Sequence, residues 1–322
     1  MGAKQSKRNF KMSEIVHPTT NPSPMPSATH SSGGSSGANW KMSADGRIYH
    51  NVESSAYILP QDEEEQDRLN SQHFAAKALS NGNMLASVVE ALPQEAKILD
   101  IGCGSGSWVM DVAIDNPCTH ITGIDIADIF PAIIRPKNAD FKLVNVLDGL
   151  PFPDATFDFV HMRLLIVAFR INEWDKVIDE IYRVLKPGGL IQLVESQYTD
   201  TEQSPKIHRF VSAHVLSLMA DKHQDPLIGS KLEGKVIAHG FELMQKERIR
   251  IPFSNPQNAV YAELLWGWGN AMKALKQALA PRLCPDNESD YDQILNEYLK
   301  DCADFGWVVY IWSVAGRKPL TV

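Results

Sequence analysis

Ile98-Leu99-Asp100-Ile101-Gly102-Cys103-Gly104-Ser105-Gly106 decides the fold of this chain. Apolar residues flank one acid and lead into three glycines at alternate positions. A short apolar run that stops at a glycine cluster is the pattern of a strand buried on both faces and closed by a tight turn. Glycine reaches backbone angles closed to other residues and lets a ligand approach the main chain. Beyond the loop, Trp108, Val109, Val112 and Ala113 fall on one side of a helix over Ser107–Asp115. The unit is strand, glycine loop, helix.

The same alternation continues outward. Apolar runs at 120–126, 141–146, 157–162 and 190–195 read as further strands after the one at Lys97–Ile101. Asn172 is expected to cap a helix whose inner face is Trp174, Val177, Ile178, Ile181 and Leu185, and Pro187-Gly188-Gly189 turns the chain into the fifth strand. Strand–helix alternation implies a parallel sheet with helices on both faces, and such sheets bind ligands at the carboxyl ends of their strands. Upstream, Pro60 followed by the acids 62–65 predicts a helix start, with the acids as a solvated helix end, and Pro93 stops a second short helix. Downstream, 200–240 and 256–302 are helical in pattern, and 241–251 and 306–314 read as strands.

Bulk properties narrow the function. The 322 residues carry a net charge of -8 and are 44% hydrophobic, enough for a core and without the basic face expected of a nucleic-acid binder. No nucleic-acid partner is expected. The four cysteines, Cys103, Cys118, Cys284 and Cys302, form no C-x-x-C pair, which predicts reduced thiols and no metal. His208, His214 and His223 lack metal-ligand spacing. No apolar run approaches the ~18 residues of a membrane span.

Four motifs occur in order. Asp100 precedes the G-x-G-x-G loop, Asp125 closes the second strand, Leu150-Pro151-Phe152-Pro153-Asp154 precedes Phe157-Asp158-Phe159-Val160, and Arg183-Val184-Leu185-Lys186-Pro187-Gly188-Gly189 follows. The glycine spacing differs from the G-x-G-x-x-G of dinucleotide-binding loops. Together the motifs, over about 95–196, resemble class I S-adenosylmethionine-dependent methyltransferases. That resemblance implies an α/β, Rossmann-like, doubly wound and mostly parallel seven-stranded sheet with helices on both faces and a helical cap. The implied cofactor is S-adenosyl-L-methionine. Asp100, Gly102, Cys103, Gly104 and Gly106 would cradle its amino-acid portion, Asp125 with Ile126 would take the ribose hydroxyls, and Asn145 with Val146 would face the adenine. Asp125 also fits an ordinary strand-end turn, and Asp148 is an alternative to Asn145.

Gly46-Arg47-Ile48-Tyr49-His50, Tyr57-Ile58-Leu59-Pro60, Asp62-Glu63-Glu64-Glu65, Asp67-Arg68-Leu69 and His161-Met162-Arg163 carry a narrower resemblance, to a large fungal methyltransferase family that includes the velvet-complex regulator of secondary metabolism. It implies a fungal source and a helical segment closing over the cofactor. The acceptor is expected to be a small molecule. The alternatives are a regulatory methyltransferase-like protein acting through protein partners, and a non-catalytic module that binds the cofactor.

The substrate side is less defined. His161 and Arg163 end the fourth strand, where His161 is a candidate base, or a packed and satisfied histidine, and Arg163 a holder of an anionic acceptor or of a structural acid. Glu195 and Tyr198 are candidates for the same mouth. Tyr261, Trp266 and Trp268, with Leu264, Leu265 and Met272, read as an apolar lid or as ordinary helix packing.

The organisation expected is a disordered tail over 1–38, a helical segment over 39–94, the cofactor-binding core over 95–198, and a cap with the last two strands over 199–322. Met1-Gly2-Ala3-Lys4-Gln5-Ser6 matches the myristoylation pattern on Gly2, and Lys4, Lys7, Arg8 and Lys11 follow. One acyl chain binds membranes only marginally and basic residues add to it, so the expectation is a cytoplasmic protein in reversible membrane association rather than a nuclear one.

Overall fold

The computed structural model describes residues 40–43, 46–131, 133–199, 204–255 and 257–320. The tail and the Gly2 acylation signal lie outside them. A two-stranded hairpin, β1 (Trp40–Met42) and β2 (Ile48–His50), leads into α1 (Glu63–Leu79) and α2 (Ala86–Ala91). The core then alternates β3 (Lys97–Ile101), α3 (Ser107–Asp115), β4 (His120–Asp125), β5 (Ala139–Leu143), β6 (Phe157–Arg163), α4 (Trp174–Val184) and β7 (Leu185–Tyr198). The cap follows as α5 (Pro205–Val211), a π-helical turn (Ser212–Leu218), α6 (Met219–Asp221) and α7 (Ile228–Ala238). After β8 (Glu242–Pro252) come α8 (Ala259–Ala274), α9 (Lys276–Leu283) and α10 (Tyr291–Asp301), and β9 (Val308–Arg317) closes the chain.

Seven strands form one sheet in the order β5-β4-β3-β6-β7-β9-β8. All neighbouring pairs are parallel except those made by β9, which is antiparallel to both β7 and β8. The doubly wound, mostly parallel sheet expected above is therefore present. Successive residues of each central strand face opposite ways, so two apolar layers form. Ile98, Phe159 and Leu190 pack with Trp108, Val109 and Val112 of α3. Leu99, Val160 and Ile191 pack with Trp174, Val177, Ile178 and Ile181 of α4 and with the cap. Strands buried on both faces need continuous apolar runs, which is what these segments carry.

Several local expectations are corrected. The third strand ends at Leu143, because Asn145 Oδ1 accepts the Leu147 N–H (3.1 Å) and winds 146–148 into a short 3₁₀ turn. The cap of α4 is Glu173, not Asn172; Glu173 Oε2 accepts the Arg170 N–H (2.7 Å) and closes the preceding turn. The acids 62–65 are not simply solvated. Asp62 caps α1 and pairs with Arg47 (2.8 Å), while Glu65 is buried and grips buried Arg68 through two bonds of 2.6 and 2.8 Å. Among the described residues no helix is long and apolar enough to cross a membrane.

Candidate active site

The strand order reverses between β3 and β6, and Asp100 and His161 are register partners across that pair. Their side chains project to the same face, where the His161 Nδ1–H donates to Asp100 Oδ1 (2.8 Å). The imidazole stacks on Trp108 with ring centres 4.0 Å apart and planes 4° from parallel. Burial lowers its pKa, against the pull of Asp100. The structure thus places His161 on the cavity wall with Nδ1 bonded to Asp100 and one ring face covered by Trp108. It holds β3 to β6 at the point where the site opens.

A cavity of about 140 Å³ lies over the ends of β3, β4 and β6. Asp100, Gly102, Cys103, Gly104, Asp125, Ile126, Asn145, Val146, His161 and Arg163 all line it. The Gly102 and Cys103 amides donate to Ile124 O (2.8 and 3.0 Å), tying the loop to β4. Gly102 and Gly104 have φ of 68° and 53°, angles costly for a residue with a Cβ. The Asp125 carboxylate accepts the Gly104 N–H at 2.8 Å and the Ala127 N–H at 2.9 Å. Burial raises the Asp125 pKa and these amides oppose it. Burial also pushes the Cys103 thiol well above its ordinary value, which keeps it protonated and out of nucleophilic chemistry.

Gly106 has a different task. It does not line the cavity; a Cβ there would stand 2.6 Å from the Phe141 ring. Its missing side chain lets the start of α3 pack on β5. Asn145 lines the cavity, but its amide also holds its own turn and donates to Asp148 Oδ2 (3.0 Å). Asp148 is thus a partner of Asn145 rather than a substitute for it.

The remaining walls come from the N-terminal segment. Tyr57, Gln61, Leu69, Gln72 and His73 line the same cavity, and Gln61 Oε1 is buried without a partner among the described residues. Arg163 donates to His73 Nδ1 (3.1 Å), and His73 Nε2 donates to Asp111 Oδ2 (3.1 Å). Burial and the Arg163 charge push His73 down to about 4, so it relays these bonds as a neutral ring. Lys77 and Asn83 also donate to Asp111 (2.7 and 2.8 Å). Arg163 is half-buried and held by a histidine rather than by an acid. None of this was legible in the sequence beyond the spacing of α1, since a residue preceding a helix cap carries no mark of facing a distant loop.

A second cavity of about 170 Å³ adjoins the first beneath the cap. Tyr57, Leu69, Gln72, His161, Arg163 and Leu164 line both. The rest of its wall is mostly apolar and includes Leu218, Met219, Ile251, Phe253, Leu264, Trp268, Leu275 and Ile311. Tyr198 and Trp268 take part, whereas Trp266 is half exposed and Tyr261 lies outside the lining. The expected lid is thus one face of α8. Glu195 does not reach the cavity. Its carboxylate accepts the Leu165 and Ile166 amides (2.6 and 3.2 Å) and shapes the loop after β6, with burial pushing its pKa up to about 8. Among the described residues no cluster of His, Cys, Asp and Glu is arranged to hold a metal.

Residues 98–189 match the family described as Methyltransferase domain. The secondary metabolism regulator laeA of Aspergillus fumigatus is 33% identical over 157 residues, 48% of this chain and 40% of that protein. The methyltransferase pytC of Aspergillus terreus is 31% identical over 219 residues, 64% of each chain. The matched stretch thus spans about two fifths of the regulator's length and under two thirds of the methyltransferase's. A crystal structure of mycolic acid cyclopropane synthase CmaA1 complexed with SAH and CTAB is similar in fold, with a TM-score of 0.51 at 17% identity over 76% of this chain and 84% of that one.

Proposed function

We propose that this chain is a methyltransferase that uses S-adenosyl-L-methionine and acts on a small, largely apolar acceptor held under the cap. The observation that carries this reading is the shared wall between a glycine-loop cavity and an apolar cavity at the reversal point of the sheet. The residues present fit the cofactor. Gly102 and Gly104 carry the loop backbone along the cavity wall at left-handed angles, Asp125 keeps acceptor capacity beyond its two amide bonds, and the orphaned Gln61 Oε1 offers an acceptor for an ammonium group. When bound, the cofactor supplies a methyl group on a sulfonium, already activated for transfer.

What the chain itself contributes is position and dryness. Holding two reactants in register can supply roughly 7–11 kcal/mol of the barrier. Asp100, His161 and Trp108 set the relative place of the loop and the shared wall. Arg163, held by His73, and Gln72 stand on that wall. With its Nδ1 bonded and its ring covered by Trp108, His161 serves as a positioning residue in this scheme.

Calorimetric titration of the folded chain with S-adenosylhomocysteine tests the reading. Micromolar binding is expected, and no binding to folded protein overturns it. A second reading, a regulator acting through protein partners, draws on the similarity to laeA. Binding of the cofactor product without turnover of any acceptor would favour it.

A further inference from the structure

The apolar cavity contains one side chain that the transfer scheme does not use. His214 sits on the π-helical turn between α5 and α6, 2% exposed, and neither ring nitrogen has a hydrogen-bond partner among the described residues. Its neighbours are aromatic: Trp268 stands edge-on at 5.3 Å between ring centres and Tyr198 at 6.4 Å. The ring lines the cavity beside Leu218, Met219 and Trp268.

That arrangement is costly. Each buried polar group without a partner costs about 1–3 kcal/mol, and phenylalanine would fill similar space at no such cost. π-helical turns are themselves uncommon and concentrate at functional sites. Three other polar groups on the wall are occupied. Gln224 Nε2 donates to Val167 O (2.5 Å), Gln192 Oε1 accepts the Leu85 N–H (2.7 Å), and Arg68 is bound to Glu65. Asn83 Oδ1, on the turn between α1 and α2, is also buried without a partner among the described residues.

We propose that His214 is the polar anchor of the apolar cavity, and that the acceptor is a lipophilic molecule carrying a hydroxyl group that hydrogen-bonds this imidazole. Burial pushes the His214 pKa down to about 4, so the ring is neutral near pH 7 and offers one donor and one acceptor. A hydroxyl group also both donates and accepts, which a carboxylate or an ammonium cannot do. His214 is absent from the wall shared with the glycine-loop cavity. It therefore grips the acceptor away from the transfer point and selects it, rather than acting as a base. This proposal rests on reading the apolar cavity as the acceptor site.

The test uses the full chain and two probes of one shape, 4-hexylphenol and its O-methyl ether 4-hexylanisole, titrated against tryptophan fluorescence and checked by calorimetry. The phenol is expected to bind about tenfold tighter or more, the equivalent of one satisfied buried group. His214→Phe is expected to erase that preference with ether affinity retained, and to raise the melting temperature, whereas a merely structural histidine would lower it. His214→Gln is expected to keep part of the preference. Equal affinities in the wild-type chain, no binding of either probe, or a preference that survives His214→Phe would each overturn the proposal. S-adenosylhomocysteine is titrated in the same samples. Failure of that titration with the phenol preference intact removes the methyltransferase reading and leaves the anchor, and the reverse outcome removes the anchor alone.

Discussion

Asp125→Ala separates two tasks that one carboxylate performs. In the structure its oxygens accept the Gly104 and Ala127 amides at 2.8 and 2.9 Å. A carboxylate has about four lone-pair sites, so two remain for ribose hydroxyls. Hydrogen bonds to a charged group are worth about 1.5–3 kcal/mol, and about 1.4 kcal/mol is a factor of ten. Affinity for S-adenosylhomocysteine is therefore expected to fall by roughly 10- to 150-fold. The unliganded protein is expected to suffer as well, because the Ala127 amide is buried and loses its acceptor. A cost of about 1–3 kcal/mol there corresponds to a melting temperature lower by a few degrees at roughly 2 °C per kcal/mol for a domain of this size. Calorimetry reads the first effect and thermal unfolding of the unliganded protein the second. Unchanged affinity in a folded variant refutes the ribose assignment. A lower melting temperature with unchanged affinity would make Asp125 a brace of the loop alone.

Gly106→Ala combines a left-handed φ of 76° with a Cβ 2.6 Å from Phe141; about 1–2 kcal/mol of backbone strain and 1–3 of overpacking are expected in denaturant melts. Gly234→Ala on the exposed face of α7, where a Cβ meets nothing within 4 Å, should instead stabilise by about 0.5–1 kcal/mol, and equal effects at the two glycines would refute the packing argument. Arg68→Met strands the buried Glu65 carboxylate and is expected to cost about 3–5 kcal/mol, with Glu65→Leu in the same chain recovering most of it; a double variant as unstable as the single would contradict this. For pH, His214 binds a proton near 6.5 when unfolded and only near 4 when folded. Its contribution is complete above pH 6.5 and is lost as pH falls to 4, so wild-type stability relative to His214→Phe should drop by up to about 3 kcal/mol across that window. A pH-independent difference in denaturant midpoints would argue against a neutral buried ring.

The sheet was legible because its signals are local. Ile98–Ile101, Phe157–Met162 and Leu190–Val194 are largely apolar, and Gly102 and Gly104 supply φ values of 68° and 53° that few other residues adopt. Trp174, Val177, Ile178 and Ile181 mark the inner face of α4 by spacing alone, and all four are buried. Identical glycines nonetheless do different work: Gly102 lines the cavity and packs under Leu165, whereas Gly106 lies outside the lining and packs on Phe141. No property of the G-x-G-x-G string distinguishes them, since the Phe141 ring arrives from another strand.

Periodicity and backbone preference depend on near neighbours along the chain, so the sequence alone determined the alternation of elements, the winding of the sheet and the residues of the glycine loop. Burial and hydrogen bonding depend on neighbours in space. Only the tertiary structure decided that β9 inserts between β7 and β8, that Glu65 turns inward to Arg68, and that Glu195 serves the backbone at 165–166. It also decided that His214, one of ten histidines in the chain, lies dry and unpartnered on the wall of an apolar cavity. That cavity is assembled from α1, β6, β7, β9 and the cap, segments up to more than two hundred residues apart, and no local pattern encodes such a meeting.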